Sequence, residues 1–143
     1  MSNKNVIGPF DGEYKWLSNF YHCHVPLNGH FYRNAEAAFQ AQKTLDPDIR
    51  DEFERLEPLR AKRKGRKLVL RSDWEEVKIQ VMKEVVKSKF MSNPELRNRL
   101  IATGDAELVE LNSWNDRTWG VCSKTNTGKN LLGKILMQVR KEI

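Results

Sequence analysis

A chain of 143 residues fits one domain, and 39% hydrophobic residues with four Trp suffice for a core without disulfide or metal staples. Charged residues make up 31%, mixed in sign, and the net charge of +6 suits an anionic ligand: a nucleotide, a sugar phosphate or nucleic acid. No stretch approaches the ~20 consecutive apolar residues that span a membrane, so no membrane partner is expected. The segment Met1-Ser2-Asn3-Lys4-Asn5 is polar and lacks the apolar run of a secretory signal. Cys23 and Cys122, far apart in such a chain, are expected to be free thiols in a reducing cytoplasm. There is no arginine-rich tract, zinc-finger spacing or RNP-type aromatic motif.

In chain order, Phe20–Val25 and Gly29–Tyr32 read as short strands around a turn at Pro26-Leu27-Asn28-Gly29. Asn34 can cap a helix over Ala35–Leu45, which Asp46-Pro47 ends. Helical stretches follow Pro47 and Pro58, the second with Gly65 near its end. Ser72-Asp73-Trp74-Glu75 has the form of a capping box. Behind it Trp74, Val77, Val81, Met82, Val85, Val86 and Phe90 make one apolar stripe. Asn93-Pro94 opens a further helix, stopped by Thr103-Gly104-Asp105. Glu107–Leu111 reads as a strand, and a loop rich in Asn, Asp, Trp and Gly leads to a final helix from about Gly128 to Glu142. The expectation is a single α+β domain over residues 1–143, helix-dominated, with a small sheet.

Four segments can carry chemistry. Glu36, Gln40 and Lys43 stand at i, i+4 and i+7 of an alanine-rich helix, which places them on one face. A polar stripe on a central helix faces solvent, a buried network or a ligand cleft. Glu36 and Lys43 are roughly 10.5 Å apart along the axis, too far for a tight pair by backbone position but able to converge on a ligand. The plainer reading, an exposed face with ordinary pairing, has equal weight from spacing alone. In Asn112-Ser113-Trp114-Asn115-Asp116-Arg117-Thr118-Trp119-Gly120, Trp119 can stack on a heteroaromatic ring and Asp116 can accept from a ribose hydroxyl. Trp114 is expected to anchor the loop on the core.

Gly128, Lys129 and Asn130 lead into the last helix, where free N–H groups make an anion site, although the glycine spacing is not that of a P-loop. Six of the eight residues from Arg60 to Lys67 are basic, usually the mark of a solvated face. Arg66, beside Gly65, is the member expected to make a specific contact. His22-Cys23-His24 would put both imidazoles on one strand face and the thiol on the other, with no partner at a recognised ligand spacing. Neither metal nor cofactor is expected.

From about Phe10 to Arg140 these segments resemble the NADAR (YbiA-like) family. The landmarks are Trp16-Leu17-Ser18-Asn19-Phe20-Tyr21; Glu36 with Phe39-Gln40-Ala41-Gln42-Lys43; Gly65-Arg66; and Asp73-Trp74-Glu75 with Lys78 and Met82. Lys89-Phe90, Asn115-Asp116, Trp119-Gly120, and Gly128 with Asn130-Leu131-Leu132-Gly133 complete the order. The chain departs from many relatives in Glu36-Ala37-Ala38, where a His or aromatic often follows the Glu, and in lacking glycines over Val121–Asn126.

The resemblance implies a YbiA-like fold and an N-glycosidase that cleaves a ribose C1–nitrogen bond. It implies Glu36 as general acid/base, and Lys43 as nucleophile toward C1 through a Schiff base, with Lys89 in reserve. Asn19, Phe20, Tyr21, Gln40, Trp119 and Gly120 would line the substrate pocket, and Asp116 would orient the ribose. Gly128, Lys129, Asn130 and Arg66 would hold phosphate. The expected substrate is ADP-ribosylated guanine in nucleic acid, favoured by the basic run. A phosphorylated ribosylamino-pyrimidine intermediate of riboflavin biosynthesis is the alternative, and a non-catalytic nucleotide or ADP-ribose binding module the third reading.

Overall fold

The computed structural model describes residues 5–143; Met1–Lys4, within the polar Met1–Asn5 segment, lie outside the described residues. In chain order the elements are β1 (Val6–Ile7), a 3-10 helix (Gly12–Leu17), β2 (Val25–Leu27), β3 (His30–Tyr32), α1 (Ala35–Ala41), α2 (Pro47–Glu52), α3 (Pro58–Arg66) and α4 (Trp74–Met91). Then follow α5 (Pro94–Ala102), β4 (Glu107–Leu108), β5 (Leu111–Asn112), β6 (Val121–Cys122) and α6 (Leu131–Glu142). The helix-dominated α+β class is as expected, but the small sheet is divided into two-stranded ladders: β1 with β4, β2 with β3, and β5 with β6. The chain forms two compact units, Asn19–Pro94 and the remainder, and each is described by itself.

In the Asn19–Pro94 unit, β2 and β3 form an antiparallel hairpin with Leu27 opposite His30. Its turn is Asn28-Gly29, both at positive φ (50° and 84°), the left-handed pair that matches the twist of the flanking strands. The first strand is therefore Val25–Leu27 rather than Phe20–Val25, and Pro26 belongs to the strand, tolerated because a two-stranded ladder is all edge. Asn34 caps α1 as expected, its Oδ1 accepting from Ala37 N at 2.7 Å.

The helix stops at Ala41 rather than Leu45. From Gln42 the backbone tightens, with Gln42, Lys43 and Thr44 N–H each donating three residues back. The Gln42 amide closes the end by donating to Ala38 O at 3.0 Å. α4 buries Trp74, Val81, Met82, Val85, Val86 and Phe90, with Val77 half-buried at its start. The capping box does not form. Asp73 occupies the cap position with its carboxylate held by Arg71 at 2.6 Å, and Glu75 pairs with Lys78 at 2.6 Å. With Asp73 rather than Ser72 at the cap, Glu75 falls at the second helical position instead of the third, out of register for the box.

In the other unit, β4 and β5 break the expected Glu107–Leu111 strand in two, because each finds a different parallel partner. α6 begins at Leu131, not Gly128, after Asn130 has turned through a left-handed conformation (φ 52°). Its face of Leu132, Ile135, Leu136 and Val139 is buried.

Candidate active site

Every residue of α1 is buried, including Glu36 (9% exposed) and Gln40 (6%). Alanine at 35, 37, 38 and 41 makes this possible by letting α3 and α4 approach closely. The closest approach is at Gly65 of α3, where a Cβ would overlap Gln40 Oε1 and lie 2.7 Å from its Cδ. The glycine is thus required by space. The stripe is a buried network rather than an exposed face: Gln40 Nε2 donates to Glu36 Oε1 at 3.1 Å. Gln40 Oε1, also buried, has no hydrogen-bond partner. A buried unsatisfied acceptor costs on the order of 1–3 kcal/mol and recurs where a ligand is to be met.

Lys43 lies just beyond α1, so its side chain is placed by the tightened turn and not by helical phase. Its carbonyl accepts from Arg71 N at 2.8 Å, which fixes the backbone there. The Lys43 ammonium is half-buried, and its pKa is lowered by desolvation first; Arg66 lowers it further while Glu36 opposes both. Glu36, Lys43 and Arg66 are thereby close enough to feel one another, with Gln40 between α1 and α3.

Asn19 borders this group. Its carbonyl accepts from Glu36 N at 3.0 Å, and its Nδ2 contacts Met82 Sδ at 3.4 Å. Phe20 is 45% exposed and Tyr21 half-buried. Lys89, on the apolar stripe of α4, is 1% exposed, with its Nζ 5.9 Å from the Tyr21 ring centroid and 5.2 Å from that of Phe90. Burial pushes its pKa down to about 8, against the pull of Cys23. The Cys23 thiol is in turn pushed up by burial.

The remaining expected residues belong to the other unit. Asp116 Oδ1 accepts from Thr118 N (3.1 Å) and Trp119 N (3.0 Å), so the carboxylate shapes its own loop. Asn112, which sequence reasoning passed over, clamps the same loop. Its Oδ1 accepts from Asp116 N at 3.0 Å and its Nδ2 donates to Asp116 O at 2.9 Å. An Asn four residues before an Asp, in a loop rich in both, was the available signal, and the structure shows Asn112 buried. Gly120 passes so near Glu110 that a Cβ would overlap it. Trp119 is half-buried, whereas Trp114, expected as the anchor, is 64% exposed. The side-chain bonds of Asn112 and Asp116 fix the loop in its place.

The anion site expected at Gly128, Lys129 and Asn130 is differently built. The N–H groups of Lys129, Asn130, Leu131 and Leu132 donate to the carbonyls of Arg117, Gly120, Thr118 and Trp119. The Asn130 side chain donates to Leu108 O at 2.9 Å and accepts from Glu110 N at 3.0 Å. The exposed Lys129 side chain is left as the cationic element there. His22 and His24 are both exposed, with Cys23 between them half-buried. Among the described residues one trio could hold a metal, His30, Asp51 and Glu54, with ligand atoms within 4.8 Å of one another. Glu54 is already bound by Phe31 N (3.1 Å) and His30 Nδ1 (3.3 Å). No described helix is long and apolar enough to cross a membrane.

A buried acid–amide pair thus lies beside a half-buried lysine whose pKa is lowered by desolvation, on a helix-rich α+β scaffold. The chain belongs to the NADAR domain family, whose model matches residues 7–143. It is 40% identical over 134 residues to the N-glycosidase YbiA of Escherichia coli (strain K12), covering 92% of this chain and 82% of that protein. A riboflavin biosynthesis protein of Vibrio vulnificus (strain YJ016) is 37% identical over 136 residues, 93% of this chain but 36% of that protein. The NMR structure of E. coli YbiA superposes with a TM-score of 0.86 at 37% identity, covering 99% of this chain and 86% of that one.

Proposed function

We propose that this NADAR-family N-glycosidase hydrolyses the bond between ribose C1 and a guanine nitrogen, releasing ADP-ribose from nucleic acid. The observation that carries the reading is the buried Glu36–Gln40 hydrogen bond with Lys43 beside it. Glu36, held in place by the Gln40 amide, can take a proton from ribose and return one to the departing base. Lys43, its ammonium destabilised by burial and by Arg66, supplies a neutral amine for attack on C1. The C1–N bond breaks, the opened sugar is held as a Schiff base, and water releases it. Lys43 is preferred to Lys89 as nucleophile because it is half-buried, while Lys89 at 1% exposure has no face to offer a sugar. Asn19 and Gln40 each hydrogen-bond to Glu36; Phe20 and Tyr21 would line the sugar and base, and Arg66 would hold phosphate. Asp116, Trp119 and the exposed Lys129 belong to the other unit, where Asn112 clamps the loop that carries Asp116. The choice of nucleic acid rests on α3 and its C-cap, where Arg60, Arg63, Arg66 and Lys67 are exposed.

The test is product analysis after incubation with ADP-ribosylated guanine in single-stranded DNA, alongside Glu36→Ala. Release of ADP-ribose by the wild type alone is expected; no release by the folded wild type would reject the substrate. A second reading, hydrolysis of phosphorylated ribosylamino-pyrimidines, is favoured by the name of the Vibrio relative. It would be chosen by turnover of those compounds with a shallow salt dependence. Failure of both would leave a binding module.

A further inference from the structure

We propose that Trp114 is a stacking platform for an unpaired base of single-stranded nucleic acid, with Arg117, Lys124 and Lys129 as phosphate contacts around it. The proposal rests on the reading that the substrate is nucleic acid and adds a point of recognition on the loop that carries Asp116.

The indole is 64% exposed, yet the loop that presents it is over-determined. Asn112 holds Asp116 through both backbone groups, and Asp116 holds Thr118 and Trp119. Asn115 turns the chain immediately after Trp114 in a left-handed conformation (φ 67°). The carbonyls of residues 117–120 are tied to the N–H groups of residues 129–132. A large aromatic left in water by a loop this constrained keeps an apolar face available to a partner, and covering that face is favourable.

The surroundings specify the partner. Between Ser113 and Asn130 the chain carries three cations, Arg117, Lys124 and Lys129, all exposed. Its one acid is Asp116, with Oδ1 engaged by the loop. Lys129 N donates to Arg117 O at 2.8 Å, so two of the cationic residues are neighbours. Trp114 is the one exposed large hydrophobic residue of this segment, among exposed Ser113, Asn115 and Thr118. A protein partner would be met by an apolar patch. A single aromatic face among cations and hydroxyls fits a base on a phosphate chain, and only an unpaired base offers its face.

The experiment is binding of a twelve-residue oligothymidylate and of an abasic backbone of equal length, neither carrying ADP-ribose. Trp16 and Trp74 are each 5% exposed and Trp119 is half-buried, so only the part of the quenching that Trp114→Phe removes is assigned to Trp114. Oligothymidylate is expected to quench the wild-type emission, and Trp114→Ala to weaken its binding about tenfold while leaving the abasic backbone unaffected. Trp114→Phe should retain most of the affinity, and Arg117→Ala should lower the log–log salt slope by about 0.7. Equal affinity of wild type and Trp114→Ala for oligothymidylate, or quenching that tracks protein concentration without nucleic acid, would overturn the proposal. Because the oligomers contain no scissile bond, such a failure with ADP-ribose release intact would leave the glycosidase reading standing. Oligomer binding without release would do the reverse.

Discussion

Gly65 and Gln40 share a space in which neither can change independently: the Cα of one rests where the amide of the other passes. Gly65→Ala would press a methyl into Gln40 Oε1, and Gln40 could relieve this only by leaving Glu36. We predict a loss of about 1–3 kcal/mol by urea unfolding and a larger proportional loss of turnover. The double variant Gly65→Ala/Gln40→Ala should recover stability but not activity.

The Lys43 amine should give the pH profile an ascending limb, since only its neutral form attacks. Arg66 contributes to the lowering of its pKa, so Arg66→Ala should move the rise of kcat/KM to higher pH. Borohydride should trap a sugar adduct on Lys43 in the wild type and none in Lys43→Ala. Full activity in Lys43→Ala would remove the Schiff base from the scheme.

Lys89 should make stability depend on pH. Its pKa falls from the ordinary lysine value to about 8 on folding, so between that pH and about 10.5 the unfolded chain binds more protons than the folded one. Stability from this group therefore rises with pH across that window, and the full penalty is present below it. Lys89→Met should remove a cost on the order of 3 kcal/mol at pH 7 and flatten the profile, read by denaturant unfolding at pH 7 and 9.5. Retained turnover in that variant would also assign the nucleophile to Lys43.

Asn130 is expected to act on stability more than on substrate. Asn130→Ala deprives Leu108 O and Glu110 N of their partner and puts alanine at a left-handed position. The melting temperature should fall in proportion to about 2–3 kcal/mol, with KM little changed. A selective rise in KM would instead support phosphate contact there.

Asp116→Asn keeps an acceptor for Thr118 and Trp119 N–H and should keep the loop, whereas Asp116→Ala should not. If the carboxylate only shapes the loop, Asn should retain most activity and Ala lose it. A proton-transfer role would be revealed by equal loss in both.

Local chemistry was readable where one short-range rule dominated. Asn28-Gly29 specified its hairpin turn, Asn34 its helix cap, and the period of Trp74 to Phe90 a buried face. Glu36 and Gln40 were legible as partners because i,i+4 spacing survives in any helix. The Lys43 turn was not, since what ends α1 early is a set of tightened bonds and the Gln42 amide. The capping box was lost because α4 starts one residue later than expected, with Asp73 at the cap, and the N–H groups expected at the anion site are taken by carbonyls ten or more residues earlier in sequence. Trp114 and Trp119 look alike in composition, and only the bonds of Asn112 and Asp116 decide which is turned outward.

The helix bearing Glu36 and Gln40 has seven residues, about half the length at which an isolated helix becomes marginal in water. It has no existence apart from the helices that cover it. The acid–amide pair is therefore assembled by the same event that closes the core, and a partly folded chain would hold no diminished version of it. Activity and cooperative structure should vanish together on denaturation, which makes turnover itself a sensitive gauge of how much of the population is native.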